Sequence, residues 1–188
     1  MYLEKIKREA VDYKDVDIYK EKSNNSKLYQ KIKPYIIERG TPGIYTYESL
    51  FEEVMYWRKV NQIHRWFVEN VQDFEDDCKY HEVSKEQLEE LRDICKEVLE
   101  KAVLISGVVV NGYRGTESGL NPIYEEGKNV VNKEICEELL PTCEGFFFGG
   151  TNYDSFYIDD IKYTYEGLCK VIEETDFTNY TLFYCSSW

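Results

Sequence analysis

Residues 84–112, which read SKEQLEELRDICKEVLEKAVLISGVVVNG, decide the fold class of this chain. Ser84 and Gln87 have the spacing of a capping box, and apolar residues then recur every three or four positions, which predicts a helix. From Val103 to Val110 the pattern changes to a nearly continuous aliphatic run, which predicts a strand that ends in a turn at Asn111-Gly112. A helix followed directly by a strand indicates a chain that mixes both element types in one domain.

Working outward, an apolar stripe at helical spacing from Val60 to Val71 predicts a second helix, and Tyr157 to Ile172 predicts a third. Shorter helices are predicted at 27–38, interrupted at Pro34, and at 132–140, where Pro141 stops the helix. The remaining predictions are strands at 1–8, 44–51, 80–83, 123–131, 145–150 and 179–188, a loop at 9–27, a helix from Glu52 and a second turn at 126–128.

These elements predict an α+β fold in a single domain spanning residues 1–188. We expect a single mixed β-sheet with helices packed on it, a β-rich insertion at 103–131, and a variable, partly loop segment at 9–50. Because three consecutive large apolar residues need cover on both faces, the strand that contains Phe146-Phe147-Phe148 is predicted to lie centrally in the sheet.

Composition narrows the range of partners. The 188 residues carry 23 Lys and Arg against 36 Asp and Glu, a net charge of −13, which repels nucleic acid and anionic membrane surfaces. Aromatic residues make up 15% of the chain, more than a core requires, so we expect some rings in a cleft or at the surface.

The six cysteines are spread without a disulfide framework and are interpreted as reduced thiols. With no long apolar run or signal-peptide core, we expect a cytoplasmic protein.

Two segments carry a family resemblance. The first is YWRKVNQIHRWFVENVQ at 56–72, followed by Asp76-Asp77-Cys78; the second is Leu139-Leu140-Pro141-Thr142 with GFFFGGTNYD at 145–154, closing with 183–188. Together they resemble a family of uncharacterised small phage and prophage proteins, in which alanine commonly stands at the position of Val60. The resemblance implies a context rather than an activity, since short phage accessory genes often encode inhibitors of host defence.

The same two segments hold the candidate ligand site. Tryptophan, arginine and asparagine supply ring stacking, anion pairing and hydrogen bonds to base edges, which suits a nucleotide-like ligand. The alternative is that the tryptophans close the core, and that the turn around Gly149 to Tyr153, called here the glycine turn, is simply a helix entry capped by Asp154 or Ser155. The candidate residues are Trp57, Arg58, Asn61, His64, Trp66, Asn70, Gly149, Thr151, Tyr153 and Asp154.

Other chemistries have weak signals. His64 lies on the apolar face of its helix with no nucleophile evident nearby, so a hydrogen-bonded core residue is the favoured interpretation and no catalytic residue is assigned. Cys78 and His81 have only half of a zinc-site spacing, and the acidic runs at 75–77 and 159–160 are interpreted as solvated faces, so neither a metal nor a cofactor is predicted.

Two functional hypotheses follow, both favouring a binding protein over an enzyme. In the first, a phage-encoded counter-defence protein sequesters a small nucleotide-like ligand in an aromatic and basic cleft. In the second, the acidic surface mimics nucleic acid and blocks a host defence protein. Neither hypothesis involves direct binding to nucleic acid or to a membrane.

Overall fold

The structure, a computed structural model, describes residues 1–116, 119–145 and 149–187 and confirms the predicted α+β class. A four-stranded antiparallel sheet has the order β4-β1-β8-β5, and two hairpins, β2-β3 and β6-β7, stand beside it. In chain order the strands are β1 Tyr2–Lys7, β2 Ile37–Thr41, β3 Tyr45–Ser49, β4 Phe51–Tyr56, β5 His81–Val83, β6 Leu104–Thr116, β7 Gly119–Val130 and β8 Tyr180–Cys185.

The expectation of one mixed sheet was wrong, because the described strand pairs are all antiparallel and the two hairpins pair only within themselves and form separate sheets. The two central strands come from opposite ends of the described chain, and Leu3 of β1 pairs with Tyr184 of β8. Each strand presents alternate residues to opposite faces, so Leu3 and Tyr184 face one core while Ile6 and Phe183 face another.

Helices cover both faces of the sheet. They are α1 Ile18–Ser23, α2 Lys27–Ile32, α3 Asn61–Asn70, α4 Lys85–Lys101, α5 Glu134–Leu139 and α6 Ser155–Glu174. The larger core joins the Leu3 face to α3, α4 and α6, through buried residues such as Ile63, Leu91 and Leu168. The smaller core lies beneath α1, α2 and the 3-10 turn at Arg8–Tyr13.

Strong local signals gave correct elements. The capping box at Ser84 is present, with the Ser84 hydroxyl accepting from the Gln87 amide and the Gln87 side chain accepting from the Ser84 amide. The predicted helices at 60–71 and 157–172 are confirmed as α3 and α6, and the Pro141 stop is confirmed by the end of α5.

Four predictions along the chain were wrong. Residues from Glu52 form β4 rather than a helix, because pairing with β1 places Glu52 opposite Lys5, where their side chains form an ion pair at 3.1 Å. Residues 9–27 contain a 3-10 turn and α1 rather than a loop throughout. The β6-β7 hairpin does not turn at Asn111-Gly112 or at 126–128: it continues past both, with a bulge that sets 111–112 opposite Ile123.

The predicted Phe146-Phe147-Phe148 strand lies outside the described residues. Among the described residues, no helix combines the length and apolar character that crossing a bilayer requires. The six cysteines all fall within the described part of the chain, and each is a free thiol.

Candidate functional site

The segment between β4 and α3 meets the glycine turn that precedes α6. Lys59 has a φ of 62°, a conformation unusual for a residue with a side chain. Its carbonyl accepts a hydrogen bond of 3.2 Å from the Gly149 amide. A Cβ atom at Gly149 would lie 2.6 Å from that same carbonyl oxygen, so the close approach requires glycine at this position.

Asn61 makes the second link between the two segments. Its amide nitrogen donates to the Gly150 carbonyl at 2.9 Å, and its side-chain oxygen accepts from the Cys143 amide at 2.9 Å. Asn61 is 1% exposed, so both bonds are sheltered from water at the side-chain end. The side chain therefore fixes Cys143 and Gly150 to the first turn of α3.

Where these segments meet, a cleft of about 400 Å³ opens between the starts of α3 and α6 and the middle of β6, at Val110 and Asn111. We call it the α3-α6 cleft. An adjoining recess of similar size shares Lys59 and the glycine turn and extends toward Tyr113. The polar lining of the α3-α6 cleft includes Arg58, Lys59, Gln62, Asn111, Asn152, Asp154 and Asp160, and Phe156 adds an aromatic ring to its wall.

Both signs of charge line the cleft. Arg58 and Lys59 are exposed, and within the described chain neither side chain forms an ion pair. Asp154 caps α6 by accepting from the amides of Phe156 at 2.9 Å and Tyr157 at 3.3 Å, and burial raises the pKa of its carboxyl against these bonds. Cations at the rim and carboxyls deeper in the cleft suit a ligand with an anionic end and a hydrogen-bond donor end.

Asp160 and Gln62 are neighbours inside this cleft. Burial raises the pKa of the Asp160 carboxyl to about 6, and the Gln62 side chain beside it limits the rise by favouring the ionised form. Gln62 is 3% exposed, yet its amide nitrogen has no partner with hydrogen-bonding geometry among the described residues. The pair thus combines a half-buried carboxyl with a buried donor that lacks an acceptor.

The structure places three of the predicted site residues, Arg58, Gly149 and Asp154, in the lining of the α3-α6 cleft. Asn61 lies behind the lining and positions it, and Thr151 lines the adjoining recess. Tyr153 turns away from this recess: its hydroxyl accepts from the Thr142 amide at 3.2 Å.

The other predicted residues lie outside this lining: Trp57, Trp66 and His64 serve the core, and Asn70 is exposed at the end of α3. Trp57 and Trp66 are buried, and the Trp57 indole donates to the Thr164 hydroxyl at 3.0 Å. Asn70 donates to the carbonyl of Trp66, within its own helix. His64 is buried, with Nδ1 2.7 Å from the Tyr184 hydroxyl and Nε2 3.1 Å from the Asp76 carboxylate, which fits its interpretation as a hydrogen-bonded core residue.

Sequence reasoning missed Gln62, Asn111, Asn152, Phe156 and Asp160 as lining residues. Helical spacing offered one usable signal: Asp160 follows Phe156 by four positions on α6, so the two residues share a side of that helix. The signal at Asn111 was misleading, because the dipeptide Asn111-Gly112 is typical of a hairpin turn and not of a residue that lines a cleft. Across the part of the chain that the structure describes, no group of three or more side chains is arranged to hold a metal ion.

Comparison with known proteins found no matching family model, no matching curated sequence and no matching solved structure.

Proposed function

We propose that this chain is a binding protein that holds a small nucleotide-like ligand in the α3-α6 cleft. One observation carries the proposal. Two cations at the rim of the cleft, Arg58 and Lys59, have no ion-pair partner among the described residues, and the buried side-chain amide of Gln62 in the same cleft lacks an acceptor. Buried polar groups in folded proteins are normally paired, and leaving one unpaired costs about 1–3 kcal/mol. A ligand that supplies an acceptor offsets that cost on binding.

The lining matches the parts of a nucleotide. Arg58 and Lys59 at the rim suit a phosphate, the partly exposed ring of Phe156 suits stacking on a base, and the deeper polar groups suit a base edge. A volume of about 400 Å³ lies within the range of small-molecule sites. The adjoining recess provides room for a second sugar or phosphate.

The resemblance to phage and prophage proteins supplies a biological role for such binding. A counter-defence protein in the cytoplasm of an infected cell lowers the concentration of a host signal simply by holding it, which requires no reaction. Nothing in the cleft calls for catalysis, since binding energy alone accounts for sequestration.

The test measures binding of AMP, GMP, CMP and UMP separately, by titration calorimetry. We expect at least one to bind, and Arg58→Ala to weaken it by about 10- to 150-fold, the equivalent of one charge-assisted hydrogen bond. Arg92→Ala is the matched control, because Arg92 lies on α4 beside Asp93, away from the cleft. An unchanged unfolding midpoint in both variants separates binding from stability. Equal affinity of Arg58→Ala and wild type, or no binding by any of the four, contradicts the proposal.

The acidic surface favours a second candidate, a protein that mimics nucleic acid and occupies a basic host effector. Its supporting observation is the net charge of −13. The described helices nevertheless interleave the two signs, as in the exposed pairs Lys85–Glu89, Lys101–Glu97 and Lys162–Glu166. A mimic needs a continuous row of carboxylates at phosphate-like spacing, so this interleaving favours ligand capture as the first candidate.

A further inference from the structure

The buried side-chain amide of Gln62 has a nitrogen whose role is not explained by the fold. Gln62 stands in the first turn of α3, its side chain lines the α3-α6 cleft, and its amide nitrogen is buried without an acceptor among the described residues. The nitrogen lies near enough to Asp160 to favour the ionised carboxyl, but it makes no hydrogen bond of normal geometry among the described residues, so its donor capacity is largely unused. The amide is therefore a candidate for recognising an acceptor on a ligand.

Asp160 supplies the complementary chemistry beside Gln62. It stands on α6, half-buried and beside Gln62, and its carboxylate presents two acceptor oxygens. Together the two residues offer one donor next to two acceptors. Phe156 lies four residues earlier on α6, with a ring that is 40% exposed on the same cleft.

We propose that Gln62 and Asp160 read the edge of a guanine base, so that the ligand of the proposed function, on which this inference rests, is a guanine nucleotide. Guanine presents two adjacent N–H donors, at N1 and N2, and the O6 acceptor beside them. A carboxylate accepts both N–H groups while the glutamine amide donates to O6. Adenine, cytosine and uracil each present only one donor group on that edge and leave a carboxylate oxygen without a partner.

The rest of the cleft is consistent with this orientation. With the base edge held between α3 and α6, Phe156 lies on the wall beside it and the phosphate is directed toward Arg58 and Lys59 at the rim. The protein's own negative charge opposes any anionic ligand, so short-range pairing at the rim and at the base edge has to supply the affinity.

The first experiment compares GMP with IMP, AMP, CMP and UMP by titration calorimetry on the full chain. We expect GMP to bind about tenfold or more tightly than the other bases, since a site that hydrogen-bonds a particular group rejects analogues that lack it. IMP, which lacks the N2 amine, should fall between GMP and AMP. If AMP or a pyrimidine nucleotide binds as well as GMP, guanine recognition is overturned while the proposed binding function stands. If no nucleotide binds, both are overturned.

Two variants test the assigned roles. Gln62→Leu should weaken GMP by about tenfold and change the unfolding midpoint little, because the amide that it removes favours the ionised Asp160 carboxyl but makes no hydrogen bond of normal geometry among the described residues. Gln30→Leu is the control for the same substitution outside the cleft, at an exposed residue of α2 whose amide donates to Asn25. Asp160→Asn should weaken GMP similarly and improve binding of XMP, because an asparagine accepts from N1–H and donates to the O2 of xanthine. GMP affinity unchanged in Gln62→Leu, or no gain for XMP in Asp160→Asn, overturns the inference.

Discussion

Asp160 gives the fold a pH dependence of definite sign. An aspartate in an unfolded chain ionises near a pKa of about 3.9, whereas burial raises the pKa of Asp160 to about 6 in the folded protein. Between these two values the folded state binds more protons than the unfolded state, so Asp160 lowers stability as the pH rises from about 4 to about 6. The full cost then persists at neutral pH.

Asp160→Asn removes this titration. The unfolding free energy of the variant, measured by urea denaturation, should match that of wild type near about pH 4 and exceed it near about pH 7, because asparagine imitates the protonated carboxyl at every pH. The partial exposure of Asp160 reduces the size of the gap but leaves its sign. Parallel pH profiles for the two proteins would show that the Asp160 carboxyl is not destabilised by burial.

Individual residues also show what the sequence was able to predict about the site. Asn61 and the glycine turn were assigned to one site because both belong to specific motifs, and the structure joins them by a hydrogen bond of 2.9 Å. Trp57, which follows β4, and Trp66, on α3, were assigned there too, but an aromatic residue in the sequence suits a core and a cleft equally well. The inward orientation of the Trp57 indole depends on partners distant in sequence, because the ring is buried in the larger core and donates to the Thr164 hydroxyl 107 positions away.

At the scale of elements, the glycine turn before α6 is shaped by one close approach. Gly149→Ala would place a Cβ atom 2.6 Å from the Lys59 carbonyl oxygen, and a backbone atom cannot rotate away as a side chain can. We expect a loss of about 1–3 kcal/mol in the free energy of unfolding, the usual range for an overpacked site, together with weaker nucleotide binding as the turn shifts.

Gly150→Ala provides the internal control, because a Cβ atom there meets nothing within 4 Å. Its unfolding free energy should stay within about 0.5 kcal/mol of wild type, as for most surface substitutions. Urea denaturation of both variants checks the prediction. Equal stability of the two would mean that the contact between Gly149 and Lys59 does not shape this turn.

Elements with complete local signals were predictable, and elements defined by distant partners were not. α4 has a capping box and an uninterrupted stripe, and α3 has a stripe of its own, so both helices were found. β4 reads FEEVMY, in which neither a helical nor an alternating pattern is clear, and its pairing with β1 decides the conformation. Asn111-Gly112 failed in the other way: a genuine local signal formed a bulge, because the strand pairing continues beyond it.

At the scale of the whole molecule, the sheet order follows from contacts that no local pattern encodes. β1 and β8 lie side by side at the centre, although more than 170 residues separate Leu3 from its partner Tyr184. The α3-α6 cleft has the same origin, since the 58–62 segment and the 149–160 segment meet only once both are packed on the core. Composition did predict one property of the whole molecule, its negative net charge, because net charge does not depend on how the chain folds.

The net charge of −13 separates the two candidate functions through salt. For a captured nucleotide, salt screens the short-range attraction to Arg58 and Lys59 but also screens the long-range repulsion between ligand and protein, so the two effects oppose each other. GMP affinity should therefore change little between about 50 mM and about 200 mM NaCl.

A nucleic-acid mimic lacks this cancellation, since a basic partner is attracted at both short and long range. Its affinity for a purified host effector should fall by about tenfold or more over the same interval, as protein contacts with phosphates do. Both titrations are made on the same protein, so differences in preparation do not enter. A steep salt dependence of an effector complex, combined with no nucleotide binding, would favour mimicry; a flat GMP titration would favour capture in the cleft.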